Sequence, residues 1–218
     1  MGVLTPFKAA VLVNSISELD SSFKAAFQER IISACPGAQV DFFDPIEVQI
    51  YPEPVPKMQD FLRTMGGKCP TQKIVGICWG HETIHLAFGG LIGPMDGFEV
   101  GVTPIALTSP GSTFCSSYLP SIEAYSIHEF HELEVKTPGK GFTALAENNL
   151  CLVNAANIIL TFQGHLEVSV KLPMLLLSYT PRYTGASVAE KEALDMKIAS
   201  PYDGIAIWKK IVHWAGEV

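Results

Sequence analysis

The chain has 218 residues, with 15 Lys and Arg against 22 Asp and Glu, a formal charge of −7. Apolar residues make up 48% and charged residues 17%, which allows a sizeable core and excludes a disordered chain. The acidic balance argues against gripping nucleic-acid phosphates, and no apolar stretch reaches the roughly 18–20 residues of a membrane span. Five cysteines at scattered positions make no disulfide framework, and no basic region with an apolar core opens the chain. A reducing cytoplasm is the expected compartment.

In chain order, Lys8–Asn14 reads as a buried strand and Asp20–Ala34 as a helix with Phe23, Phe27, Ile31 and Ile32 on one side. Gln39–Phe43 reads as a second strand. This βαβ opening predicts a parallel sheet. Pro45, Pro52, Pro54 and Pro56 break the next stretch. Lys57–Met65 is predicted as a short helix stopped by Gly66-Gly67. Lys73–Ile77 is a buried strand running into Cys78, and a helix is expected from Gly80 to Phe88. Val100–Leu107, Ala124–His128, Ala144–Glu147, Leu150–Asn154 and Ile158–Phe162 read as strands, with a Ser-rich loop up to Pro120. Pro173–Tyr179 fits helix or strand. Ser187–Ile198 and Asp203–Trp214 read as helices. With no linker or repeat, residues 1–218 are taken as a single domain.

The sharpest feature is Gly76-Ile77-Cys78-Trp79-Gly80-His81. A buried strand ends, a nucleophilic side chain follows, and a helix begins, with small residues two positions before and after the cysteine. That is the recipe of a nucleophile elbow. The helix N-terminus favours a thiolate, and the Trp79 backbone N–H would face a developing oxyanion. A buried structural cysteine in a βα turn explains the local pattern equally well. A second motif, Gln163-Gly164-His165-Leu166-Glu167, follows the strand Ile158–Phe162. His165 can take the thiol proton while Glu167 fixes its tautomer. Strand C-terminal ends in a parallel sheet gather on one side, so the two motifs can meet.

Together, GICWGHE and TFQGHLE resemble the class I glutamine amidotransferases, whose patterns are close to G-x-C-x-G-H-Q and Q-G-H-P-E. Gly89-Gly90 and Gly97-Phe98-Glu99-Val100-Gly101 look like the stretch after the nucleophile helix in the stand-alone, GMP-synthase-like members. His131-Glu-Leu-Glu-Val135 sits where those proteins carry a substrate-side His-x-Asp-x-Val segment. The resemblance covers roughly residues 70–170. It implies a flavodoxin-like three-layer α/β/α sandwich with a mostly parallel central sheet, and a Cys78–His165–Glu167 triad. Gly76, Trp79, Glu82 and His131 are the candidate substrate-binding residues.

Three departures bear on the substrate. The family has a strand and a Gly-rich loop before the nucleophile strand, supplying a second oxyanion donor; between Phe43 and Lys73 neither is recognisable. The Gln of the elbow helix is Glu82, which would repel a substrate α-carboxylate and favour a cation or hydrogen-bond donor. The Pro of His-Pro-Glu is Leu166. The expected function is a cysteine-dependent hydrolase or acyl or γ-glutamyl transferase acting on a small-molecule amide, γ-glutamyl compound, ester or thioester, rather than an ordinary glutaminase.

The alternatives are a non-catalytic binding protein of the same fold, or a lyase or isomerase reusing Cys78 and His165 for acid–base chemistry. His81-Glu82-Thr83-Ile84-His85 also matches the zinc-protease pattern H-E-x-x-H, with His128 or His131 as a third ligand, but its context after an elbow cysteine is wrong. No metal and no nucleotide cofactor is expected. Cys35, Cys69, Cys115 and Cys151 read as core or surface thiols, and Trp208 and Trp214 as core or interface. Tyr125 and His128 are further candidates for the substrate site. A sheet edge left open by the proline-rich stretch suggests a second copy of the chain as partner.

Overall fold

The computed structural model describes residues 7–13, 17–43, 55–69, 71–116 and 124–217. Strands β1 (Lys8–Leu12) and β2 (Gln39–Phe43) pair in parallel, Lys8 opposite Gln39, joined through helix α1 (Ser17–Ala34). On α1 Leu19 and Ile31 are buried, but Ile32, expected on the same side, is 40% exposed. One residue past Ile31 it is turned about 100° around the helix.

Residues 44–54, most of the proline-rich stretch, lie outside the described residues. Helix α2 (Val55–Lys68) starts with Pro56 in its first turn, where a missing N–H costs nothing. It continues through Gly66-Gly67, where the sequence predicts a stop. A Cβ at Gly66 would come within 3.2 Å of Ile159 Cδ1 and 3.3 Å of Phe88 Cζ, so close packing offsets the helix cost of glycine.

Strand β3 (Ile74–Ile77) leads into α3 (Trp79–Ala87), and β4 (Leu91–Ala106) pairs antiparallel with β5 (Ala124–Thr137) in a long ribbon. The first part of the expected Ser-rich loop is instead helix α4 (Ser109–Ser116), opened by Thr108, whose hydroxyl accepts from the Gly111 N–H at 3.1 Å. Residues 117–123 lie outside the description. Strands β6 (Phe142–Ala144), β7 (Cys151–Asn154) and β8 (Ile159–Phe162) join β3 in the order β3-β8-β7-β6.

The described architecture is α/β, but it differs from one mostly parallel sheet. Three separate sheets are formed, and only β1/β2 and β3/β8 are parallel. The connections from β6 to β7 and from β7 to β8 are short turns, and such turns join only antiparallel neighbours.

Helices α5 (Lys171–Ser178), α6 (Pro181–Thr184), α7 (Val188–Ile198) and α8 (Gly204–Ala215) complete the chain. The ambiguous Pro173–Tyr179 segment is therefore helical. Ser187 and Glu190 form a reciprocal capping box on α7. On α8, Ile207, Trp208, Ile211 and Trp214 are buried, so both tryptophans are core residues. Ile207 and Ile211 line a small apolar cavity of about 40 Å³ together with Tyr125, Cys115, Cys151 and Lys210. No helix among the described residues is long and apolar enough to cross a membrane.

The inner face of α3 carries two fully buried histidines, His81 and His85. His85 Nδ1 accepts from the Gly139 N–H at 3.1 Å. Its proton therefore sits on Nε2, which donates to Thr161 Oγ1 at 3.2 Å. Burial pushes His85 down to about 4, so it is neutral in the fold while an unfolded chain takes up a proton below about 6.5. The unfolded state then binds more protons, and the His85 contribution to stability is lost as pH falls from about 6.5 towards 4. Urea unfolding of wild type and His85→Gln should show a stability gap that narrows across that range; a gap constant between pH 7 and pH 4.5 would contradict a neutral His85.

Candidate active site

Parallel pairing of β3 and β8 sets Ile77 opposite Phe162, so the segments beginning at Cys78 and Gln163 leave the sheet side by side. The Cys78 N–H donates to the Phe162 carbonyl at 2.9 Å. Cys78 itself has φ 51° and ψ −110°, a conformation that costs a non-glycine residue about 1–3 kcal/mol. Helix α3 begins at the next residue, where first-turn N–H groups lack intrahelical partners.

The elbow is tight on one side only. A Cβ at Gly76 would lie 2.5 Å from Ile84 Cδ1 and 2.9 Å from the Gly80 carbonyl oxygen, whereas a Cβ at Gly80 would meet nothing within 4 Å. Gly76 is thus packed inside the elbow. Trp79 is half-buried at the start of α3.

Strand β8 runs into Gln163–Glu167, all buried. His165 Nδ1 lies 2.7 Å from Glu167 Oε1, so the carboxylate accepts from Nδ1–H and the other ring nitrogen is left for the thiol. Burial alone would lower the His165 pKa. The Glu167 carboxylate and the neighbouring Cys78 side chain outweigh burial and hold it well above its usual value. The Phe23 ring lies 6.2 Å from the His165 ring. His165 and Glu167 are thus joined by a hydrogen bond, with Cys78 beside the imidazole.

The backbone of this segment is fastened to β5. The His165 N–H donates to the His128 carbonyl at 2.7 Å. A Cβ at Gly164 would stand 2.4 Å from Ile127 Cδ1 and 2.6 Å from Glu129 Oε1, so glycine lets the two segments pack this closely without displacing those side chains. Buried Arg30 donates from Nε to the Glu167 carbonyl at 3.3 Å and from its second terminal nitrogen to the Tyr202 hydroxyl at 2.5 Å. His128 packs on the Tyr202 ring at 4.7 Å. Burial, with the neighbouring His165 charge, lowers His128 to about 4.

Glu82, in the first turn of α3, accepts from Gln163 Nε2 at 3.1 Å. Burial raises its pKa, against the opposing effects of Gln163 and His131. His131 is buried with Nε2 3.0 Å from Glu129 Oε2 and 3.3 Å from Glu99 Oε2. Burial would lower it, but Glu129, Glu99 and the Leu133 carbonyl push it up to about 10. Tyr125 lines the buried apolar cavity with Cys115, a correction to its suggested place at the substrate site.

Sequence reasoning did not single out Arg30, Glu129 or Gly164. Glu129 was within reach, since a residue two before His131 on a strand shares its face. Arg30 carried no signal on a helix with many exposed positions. The H-E-x-x-H pattern finds no support in the geometry, because both ring nitrogens of His85 are engaged by Gly139 and Thr161. Residues 44–54 lie outside the described residues. The described remainder between β2 and β3 is α2 and the approach to β3, with no strand.

No protein-family model matches the chain. Among curated proteins, the Glutamine amidotransferase-like protein chyE of Penicillium rubens is 30% identical over 243 residues, covering 100% of both chains. The Glutamine amidotransferase-like protein chry6 of Gibberella zeae is 32% identical over 96% of this chain and 95% of its own. Gamma-glutamyl peptidase 2 of Arabidopsis thaliana is 30% identical over 57% of this chain and 50% of its own. In fold, a glutamine amidotransferase from Thermotoga maritima superposes with a TM-score of 0.62 over 98% of this chain and 100% of its own, at 13% identity. With full-length relatives at this identity, the chain belongs to the class I glutamine amidotransferase-like family.

Proposed function

We propose that this protein is a cysteine-dependent hydrolase or acyl transferase for a small-molecule amide or γ-glutamyl compound. The observation that carries this reading is Cys78, held in a strained elbow beside an imidazole that Glu167 orients at 2.7 Å. The Cys78 thiol gives its proton to His165, and Sγ attacks the acyl carbon. The Trp79 backbone N–H stabilises the oxyanion. The C–N bond breaks as the leaving amine takes the proton from His165, leaving a thioester on Cys78. Water or an acceptor amine, deprotonated by His165, then attacks the thioester and frees the thiol. The γ-glutamyl peptidase among the relatives supports the substrate class.

Glu82 sets this chain apart from the family pattern. Its half-buried carboxylate, in the first turn of α3, accepts from the Gln163 amide. A substrate with a carboxylate there is disfavoured, and a donor or cationic group is favoured. Glu82→Gln should therefore raise kcat/KM for glutamine hydrolysis about tenfold or more, since like-charge juxtaposition costs several kcal/mol. Unchanged or lower glutaminase activity in the folded variant would remove Glu82 as the specificity determinant.

The nucleophile is tested by intact-mass spectrometry after brief exposure to a haloacetamide and, separately, a glutamine-mimicking diazoketone at neutral pH. A single fast haloacetamide adduct, absent from Cys78→Ala and slowed at least about tenfold in Glu167→Gln, is expected. Absence of a Cys78-dependent adduct with either reagent would favour a non-catalytic member of the family.

A further inference from the structure

The β4–β5 ribbon assembles three ligating side chains that the triad does not use. Glu99 is directly opposite His131 across the ribbon, and Glu129 shares the His131 face. Ligand atoms of the three residues all lie within 4.8 Å of one another. His131 Nδ1 is 2.8 Å from the Leu133 carbonyl oxygen. A carbonyl only accepts, so Nδ1 carries its hydrogen and donates it, and Nε2 is the atom turned to the two carboxylates.

An independent observation concerns Glu129. Its side chain is 0% exposed, yet Oε1 has no hydrogen-bond partner. A buried carboxylate oxygen in that condition is costly. The Gly164 backbone packs closely beside it, a Cβ there standing 2.6 Å from Oε1, and offers it no hydrogen-bond partner. Two carboxylates facing one imidazole carry a net negative charge even with His131 protonated. A dication with neutral His131 balances the set.

We propose that Glu99, Glu129 and His131 bind one divalent cation through two carboxylate oxygens and one imidazole nitrogen. One nitrogen and two oxygens suit a first-row transition ion such as Mn²⁺ or Zn²⁺, with water in the remaining positions. The His131 Nδ1–H to carbonyl hydrogen bond is the outer support that metal-bound histidines require. All the cation's protein ligands come from the β4–β5 ribbon, against which the segment bearing His165 is packed. The cation positions that segment and takes no part in the acyl chemistry, so the site stands whether or not Cys78 is a nucleophile.

The test uses the full chain as Cys78→Ala, which keeps the thiolate from binding metal, after treatment with a chelator. Mn²⁺ is titrated by the electron paramagnetic resonance of the free ion, and Zn²⁺ by equilibrium dialysis with elemental analysis. One ion of either metal per chain is expected. Glu99→Gln, Glu129→Gln and His131→Gln should each weaken binding at least about tenfold, while Glu132→Gln, at the exposed neighbouring position, leaves it unchanged. Glu99 is partly exposed, so Glu99→Gln keeps the test valid if the buried variants fail to fold. No stoichiometric binding of either ion by the folded chain, or binding equally tight in Glu99→Gln, would overturn the site.

Discussion

Everything in the candidate site depends on one backbone pairing, the parallel ladder of β3 and β8. Ile74 to Ile77 pairs with Ile159 to Phe162 in continuous register. Because the strands run the same way, both chain exits fall at the same end, and the first residue beyond β3 is bonded back to the last of β8. A slip of one residue would turn every side chain of β8 to the opposite face. The register is pinned by burial: Ile159, Leu160, Thr161 and Phe162 are all buried. The distance in sequence between Cys78 and His165 is thereby reduced to a neighbour relation.

The second level of organisation is electrostatic. His81, His85 and His128 are kept below the ordinary histidine range chiefly by burial. His131 and His165 are also buried, yet both are raised, because each has a carboxylate within 3.0 Å of a ring nitrogen. Removing an imidazolium from water is unfavourable in either case. Direct pairing decides which rings are raised. The lowered histidines fill the packing around α3 and β5, and the raised ones face Glu129 and Glu167.

Much of this was legible in the chain itself. The strand-to-helix transition at Cys78 and the strand ending at Phe162 follow from short apolar runs beside Gly and His residues, and the resemblance carried by these two motifs implied the triad. Boundaries failed where tertiary contacts override local preference. Gly66-Gly67 reads as a stop, but Ile159 and Phe88 pack against the helix there. The Ser-rich segment reads as a loop, but Thr108 caps it into α4. Strand direction was the other loss: period and hydrophobicity mark a strand without saying which neighbour it takes. Arg30 was illegible because its role comes from partners far along the chain, Glu167 and Tyr202.

The departure from the family pattern at position 82 fits this framework. The Glu82–Gln163 hydrogen bond joins the first turn of α3 to the end of β8, the same two elements that the β3–β8 ladder brings together. Glutamine at both positions would still permit an amide–amide bond. A carboxylate accepts from the Gln163 amide with greater strength, and it fixes that amide with its nitrogen towards Glu82. The Gln163 oxygen is then turned away and is buried without a partner of its own. The substitution therefore sets a carboxylate acceptor on α3 and fixes the orientation of the first side chain beyond β8.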